Sequence, residues 1–133
     1  MAPKPSNGFR VLVVDDDQAV LSTYGRLLRR TGFETVTESN PLKVLENGHL
    51  EGVDLLLLDY RMPGIDGLSL LAEIRRRECS APAILVSAFL NEDVERQAKM
   101  LGVRAVLEKP VDAPELRERL LSLVPVALTK PQS

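Results

Sequence analysis

One cysteine, Cys79, is all that this 133-residue chain contains. A lone thiol excludes an internal disulfide and a zinc site built from several thiolates. Its charged neighbours are the basic run Arg75-Arg76-Arg77, and it reads as an inert thiol, packed or exposed. The single histidine, His49, follows a short helical stretch and reads as a surface residue. Charge of one sign is also scarce. The formal net charge is -2, too small for a global field that would draw in nucleic acid or an anionic membrane. Arg75-Arg76-Arg77 falls at the end of a helical pattern, where cations complement the carbonyl end of the helix dipole. Long apolar runs are missing too: Leu55 to Leu58, with Val53 nearby, is far too short to span a bilayer. Met1 to Gly8 lacks the apolar stretch of a signal peptide. The expectation is a cytoplasmic protein with neither a membrane nor a nucleic-acid partner of its own.

What remains is an ordinary globular composition, 44% hydrophobic and 27% charged, in a length that suits one domain. The pattern predicts that domain over residues 9–124, with tails at 1–8 and 125–133. Phe9 to Val14 is an apolar run that stops in Asp15-Asp16-Asp17. Val20, Tyr24, Leu27 and Leu28 then recur at helical spacing, and Gly32 closes the helix. Phe33 to Thr37 reads as a second strand. Asn40-Pro41 reads as a cap followed by proline in a first turn, opening a short second helix that ends near Gly48.

Val53 to Leu58 is almost wholly apolar, the mark of a strand covered on both faces, and Asp59 ends it. A loop from Met62 to Gly67 leads to a third helix carrying Leu68, Leu71 and Ile74. Pro82 to Val86 is a fourth strand ending at Ser87. Asn91 caps a fourth helix with Val94, Ala98 and Leu101, closed by Gly102. Val103 to Leu107 is a fifth strand, ending in Glu108-Lys109-Pro110. A fifth helix opens near Asp112 with Leu116, Leu120, Leu123 and Val124 on one face. Five strands alternating with five helices predict an α/β fold with right-handed crossovers and a parallel sheet covered on both sides.

A parallel sheet delivers the C-terminal ends of its strands to one edge, where ligands bind. Four of the five predicted ends carry polar groups suited to chemistry there, Asp15 and Asp16, Asp59, Ser87, and Lys109, while the second, Thr37-Glu38, offers nothing comparable. Clustered carboxylates repel and raise one another's pKa unless a cation joins them. Mg²⁺ suits this set, since it takes few protein carboxylates and keeps positions for water and phosphoryl oxygens. Lys109 supplies a mobile positive charge and Ser87 a hydroxyl donor. No base stands ready to activate a serine or cysteine, so the nucleophile is a carboxylate and the covalent product an acyl phosphate on aspartate. Taken singly, each residue has a plainer role. Asp16 or Asp17 can cap a helix, Asp59 can sit in a turn, and Ser87 and Lys109-Pro110 can be loop residues.

In that order, the residues resemble the receiver domain of two-component response regulators. The likeness covers about residues 9 to 124. It rests on Val11-Leu12-Val13-Val14-Asp15-Asp16-Asp17, Leu58-Asp59-Tyr60-Arg61-Met62-Pro63-Gly64-Ile65-Asp66-Gly67, Val86-Ser87-Ala88 and Glu108-Lys109-Pro110. The resemblance implies a flavodoxin-like, CheY-like fold with strand order 2-1-3-4-5. It makes Asp59 the phosphoacceptor, with Mg²⁺ held by Asp15, Asp16, Asp59 and the backbone carbonyl of Arg61. Ser87 and Lys109 would bind the phosphoryl oxygens, and the Lys109-Pro110 bond would be cis. The donor would be a phosphohistidine on a sensor histidine kinase or a histidine phosphotransfer protein. Catalysis would be limited to Mg²⁺-dependent self-phosphorylation from phosphodonors and to autodephosphorylation. A homodimer would use the fourth helix and fifth strand, around Asn91 to Leu107. Two positions depart from the pattern. Val106 stands where receivers commonly have Tyr or Phe, and cannot swing as a ring does; Val111 stands where Phe is common.

Two other readings compete. One is a phosphohydrolase of the haloacid-dehalogenase type, for which Asp15-Asp16-Asp17 offers a superficial Asp-x-Asp loop but few further motif parts. The other is a receiver-like docking module that works without phosphorylation, which the presence of Asp59 and Lys109 disfavours.

Overall fold

A computed structural model describes residues 8–46 and 48–124. In it the apolar runs form β1 (Arg10–Val14), β2 (Glu34–Glu38), β3 (Leu55–Asp59), β4 (Ala83–Ser87) and β5 (Val103–Glu108). They pair in parallel in the order β2-β1-β3-β4-β5. Every residue of β3 and β4 is buried, as continuous apolar strands in the middle of a covered sheet require. The edge strand β2, Glu-Thr-Val-Thr-Glu, is partly exposed along its length. Pairing register aligns the strand ends. Val14 lies beside Glu38 and Leu58, Asp59 beside Val86, and Ser87 beside Glu108.

Four α-helices cover the sheet: α1 (Gln18–Arg30), α2 (Gly67–Arg76), α3 (Glu92–Met100) and α4 (Ala113–Ser122). Each starts at a side chain that accepts from main-chain N–H groups otherwise left without a partner, namely Asp17, Asp66, Asn91 and Asp112. Side chains alternate across the strands with period two and so build two cores. Leu12, Leu56, Leu58 and Leu85 pack with Leu71 and Ile74 of α2 and Val94 of α3. Val11, Val13, Leu57 and Ile84 pack on the other face with Leu28 of α1 and Leu116 and Leu120 of α4. Arg75 ties the far end of α2 down by donating to the carbonyls of Cys79, Ala81 and Leu101. Among the described residues, no helix is long and apolar enough to cross a membrane.

Among the described residues, the expected five helices are corrected to four. The stretch after Asn40 forms only a 3-10 turn, Pro41–Leu45. Asn40 does cap it, accepting from the Leu42 N–H at 3.1 Å. The bonds that follow run from Lys43 N–H to Asn40 O and from Glu46 N–H to Lys43 O, one turn of tighter winding. Pro41 and Val44 are its only buried residues, too little inward surface to carry a longer helix against the sheet. Gly48, with φ of 89°, lies beyond it in a turn. Strand limits also shift by one or two residues: β3 begins at Leu55 rather than Val53, and β4 begins at Ala83 rather than Pro82. The expected tails at 1–8 and 125–133 lie, apart from Gly8, outside the described residues.

The start of α2 is pressed onto the end of β3. Gly67 donates its N–H to Tyr60 O at 2.7 Å. A Cβ on Gly67 would sit 2.3 Å from the carbonyl oxygen of Asp59 and 3.0 Å from Leu85 Cδ1. Only glycine allows that approach. Gly67→Ala is expected to lower stability by about 1–3 kcal/mol, measured as a lower urea midpoint. An unchanged midpoint would show that α2 can slide off the Asp59 carbonyl without loss.

Candidate functional site

Three polar residues are buried among the described ones, Asp15 (1% exposed), Asp59 (6%) and Ser87 (1%), and all stand at the C-terminal edge of the sheet. Burial of two carboxylates side by side is unfavourable unless something compensates. The run Asp15-Asp16-Asp17 divides three ways. Asp15 turns inward and accepts the Asp17 N–H at 2.9 Å, while its own N–H donates to Glu38 O. Asp17 caps α1, accepting from Ala19 and Val20. Asp16 stays exposed, yet Asp15, Asp16 and Asp59 each offer a carboxylate oxygen within 4.8 Å of the others'. The chain thus brings together the acids expected to meet, and assigns the helix cap to Asp17.

Lys109 arrives from the end of β5, across the intervening β4. Its ammonium lies 3.0 Å from Asp59 Oδ1 and 3.3 Å from Asp15 Oδ2. The Lys109 N–H bonds to Ser87 O at 2.9 Å, and the Lys109-Pro110 peptide is cis. Burial raises the pKa of Asp59 above its ordinary 3.8; Lys109 works against that rise, and the charges of Asp15 and Asp16 add to it. Burial alone would lower the pKa of Lys109, but its bonds and proximity to Asp59 and Asp15 outweigh that and raise it. One cation therefore faces three anions, which leaves the edge short of positive charge. Tyr24, read from the sequence as a core position of the first helix, also feels this field. Burial raises its phenol pKa, Lys109 opposes the rise, and Asp15 and Asp59 add to it.

Ser87 is in place but its hydroxyl is engaged. Oγ donates to Phe89 O at 2.8 Å and accepts from the Phe89 N–H at 3.1 Å. Arg61, in the loop after β3, places its guanidinium 5.2 Å from the centroid of the Phe89 ring. Phe89 escaped the sequence reading. Its one signal was an aromatic residue two places beyond a strand-end hydroxyl, too weak to single out alone. Val106 is half-buried against the α2 side of the core. His49 is less exposed than expected, with Nε2 3.7 Å from a carboxylate oxygen of Glu38.

Comparison with known proteins places this geometry. A family model described as response regulator receiver domain matches residues 11–121. The chemotaxis protein CheY of Treponema pallidum is 32% identical over 125 residues, covering 91% of this chain and 87% of that protein. Sporulation initiation phosphotransferase F of Bacillus subtilis is 27% identical over 117 residues, covering 88% of this chain and 94% of that protein. The DNA-binding transcriptional regulator NtrC of Escherichia coli is 38% identical over 115 residues, but these span only 24% of its length. Among solved structures, a complex of CheX with CheY, BeF3 and Mg from Borrelia burgdorferi matches with a TM-score of 0.79 and 25% identity, over 86% of this chain and 88% of that one. A CheY-like receiver domain from Methanospirillum hungatei matches with a TM-score of 0.75 and 27% identity, over 86% of this chain and 91% of that one. Sequence and fold agree along the same stretch, and the chain belongs to the response regulator receiver domains.

Proposed function

We propose that this receiver domain takes a phosphoryl group onto Asp59 from a phosphohistidine on a histidine kinase or phosphotransfer protein. The observation that carries the reading is the shared cation: Lys109 bridges buried Asp15 and Asp59 at the edge where Asp16 also converges. An Asp59 oxygen forms the new O–P bond as the P–N bond breaks, and the electron pair of that bond returns to the imidazole nitrogen. Lys109 moves part of its interaction from the carboxylates to the phosphoryl oxygens, where charge accumulates. Ser87 donates to the same oxygens once its hydroxyl leaves Phe89 O.

The donor set fits Mg²⁺: hard carboxylate oxygens on Asp15, Asp16 and Asp59 converge within 4.8 Å, and the main-chain carbonyl of Arg61 follows two residues after Asp59. When bound, the ion supplies the positive charge that the edge lacks and neutralises phosphoryl oxygens. Self-phosphorylation from small donors, autodephosphorylation and a cytoplasmic location belong to the same reading. So does a homodimer through the α3–β5 face, where Met100 is exposed. Docking without phosphorylation is the weaker reading, because it gives the buried Asp15–Lys109–Asp59 group no task.

Intact mass after incubation with acetyl phosphate and Mg²⁺ tests the acceptor. A single phosphoryl adduct is expected, absent in Asp59→Asn and absent with EDTA. Lys109→Gln is expected to slow its formation by about 10- to 100-fold, the range for losing a charge-assisted hydrogen bond at the reacting group. An adduct that survives in Asp59→Asn would overturn the assignment.

Stability gives a second test. A carboxyl whose pKa is raised on folding favours the folded state below its unfolded value, near 3.8, and that advantage is lost as pH rises through the folded value. Ionised Asp59 therefore destabilises the metal-free fold at pH 7. In EDTA, Asp59→Asn is expected to raise the melting temperature by about 2–6 °C. The gain should shrink towards pH 4 and on adding Mg²⁺ to both proteins. A lower melting temperature for Asp59→Asn would show that its ion pair with Lys109 outweighs burial and repulsion.

A further inference from the structure

The strand-end hydroxyl and the acceptor sit on adjacent strands, with Asp59 in register with Val86, the residue before Ser87. Their flanking loops are joined by a contact outside the acidic cluster. Phe89 is 63% exposed, so packing does little to hold its ring. What holds it is the Arg61 guanidinium, 5.2 Å from the ring centroid, a favourable cation–π arrangement. The same residue's main chain accepts the Ser87 Oγ–H at 2.8 Å and donates back to Oγ at 3.1 Å. The proton that Ser87 would offer to a phosphoryl oxygen is thus committed to Phe89 O.

We propose that Phe89 is a positioning residue: its stack on Arg61 fixes the 88–90 loop so that its carbonyl parks the Ser87 hydroxyl, and occupancy of Asp59 releases both. The ring acts through Ser87 and touches neither donor nor acceptor. The inference rests on Asp59 being the phosphoacceptor. It follows that the stack stabilises the unoccupied form. Weakening it should ease the turn of Ser87 towards an incoming group, and an exposed cation–π contact sets the effect at about two- to fivefold in affinity.

The test is the affinity of the 133-residue chain for beryllium trifluoride, a phosphoryl mimic, with Mg²⁺ at fixed concentration, read from amide shifts of Ser87 and Phe89. Phe89→Leu removes the aromatic face and is expected to bind about two- to fivefold more tightly, while Phe89→Tyr keeps the face and should match the parent. Ser87→Ala, with no hydroxyl to release, should erase the difference between Phe89 and Leu at that position. Melting temperatures of the variants separate this from unfolding. Equal or weaker binding by Phe89→Leu, or an unchanged gain in the Ser87→Ala background, would overturn the proposal while leaving the acceptor reading intact. Failure of the parent chain to bind the mimic at all would overturn both.

Discussion

One ammonium group joins chain segments 94 residues apart. Lys109, at the end of β5, reaches past β4 to the carboxylates of Asp15 and Asp59. Remove its charge and two buried acids face each other with Asp16 beside them, an arrangement that a low-dielectric interior strongly disfavours. The sheet exists in part to make this meeting possible. The parallel order puts β1 beside β3, and β4 between β3 and β5, and so sends these strand ends to one edge within reach of a lysine side chain. The cores on either face are ordinary apolar packing; the edge is where the fold accepts an unfavourable charge distribution.

That imbalance explains how neighbouring residues are used. The three consecutive aspartates have different environments because helix α1 begins immediately after them. Asp17 is taken by the first turn of the helix, Asp15 is drawn inward under Lys109, and Asp16 remains in solvent. Gly67 belongs to the same constraint from the opposite side. Because a side chain there would collide with the Asp59 carbonyl, the start of α2 can lie directly against the last residue of β3. The end of β3 is held on its backbone while the Asp59 carboxylate lies beside Lys109 at the edge.

The strands and the acidic edge were legible in the sequence because each rests on a local signal. Val53 to Leu58 is too uniformly apolar for an exposed strand, and Asp59, Ser87 and Lys109 follow apolar runs directly. The second helix failed for a reason that is also local. Asn40-Pro41 specifies how a helix starts, but propagation depends on inward-facing residues, and only Pro41 and Val44 are buried there. The division of labour within Asp15-Asp16-Asp17 was only partly legible: Asp15 and Asp16 read as the edge pair, but the cap stayed open between Asp16 and Asp17, and the inward turn of Asp15 under Lys109 depends on where that lysine lies in space. Nor was the Arg61–Phe89 contact: two exposed residues on separate loops leave no periodicity, and their pairing follows only from β3 lying beside β4.

The same geometry sets where a signal could leave the site. A phosphoryl group on Asp59 would add charge where Lys109 already serves two acceptors, so its oxygens need donors besides that ammonium. Ser87 is a buried hydroxyl at this edge, and its proton is engaged with Phe89 O. Whatever turns Ser87 therefore acts on the main chain of residues 88–90, which leads straight into α3. Val106, in β5, is branched at Cβ and half-buried, and has no ring to swing into space that Ser87 vacates. An aromatic side chain is nonetheless present at this edge, on the β4–α3 loop instead of on β5. On the roles proposed for Asp59 and Phe89, coupling from acceptor to surface would run along one loop, from the Ser87 hydroxyl to the carbonyl two residues on and the exposed ring attached to it. Such a route would stay on the β4–α3 loop and depend on the Arg61–Phe89 contact rather than on a cavity being kept open for a moving ring.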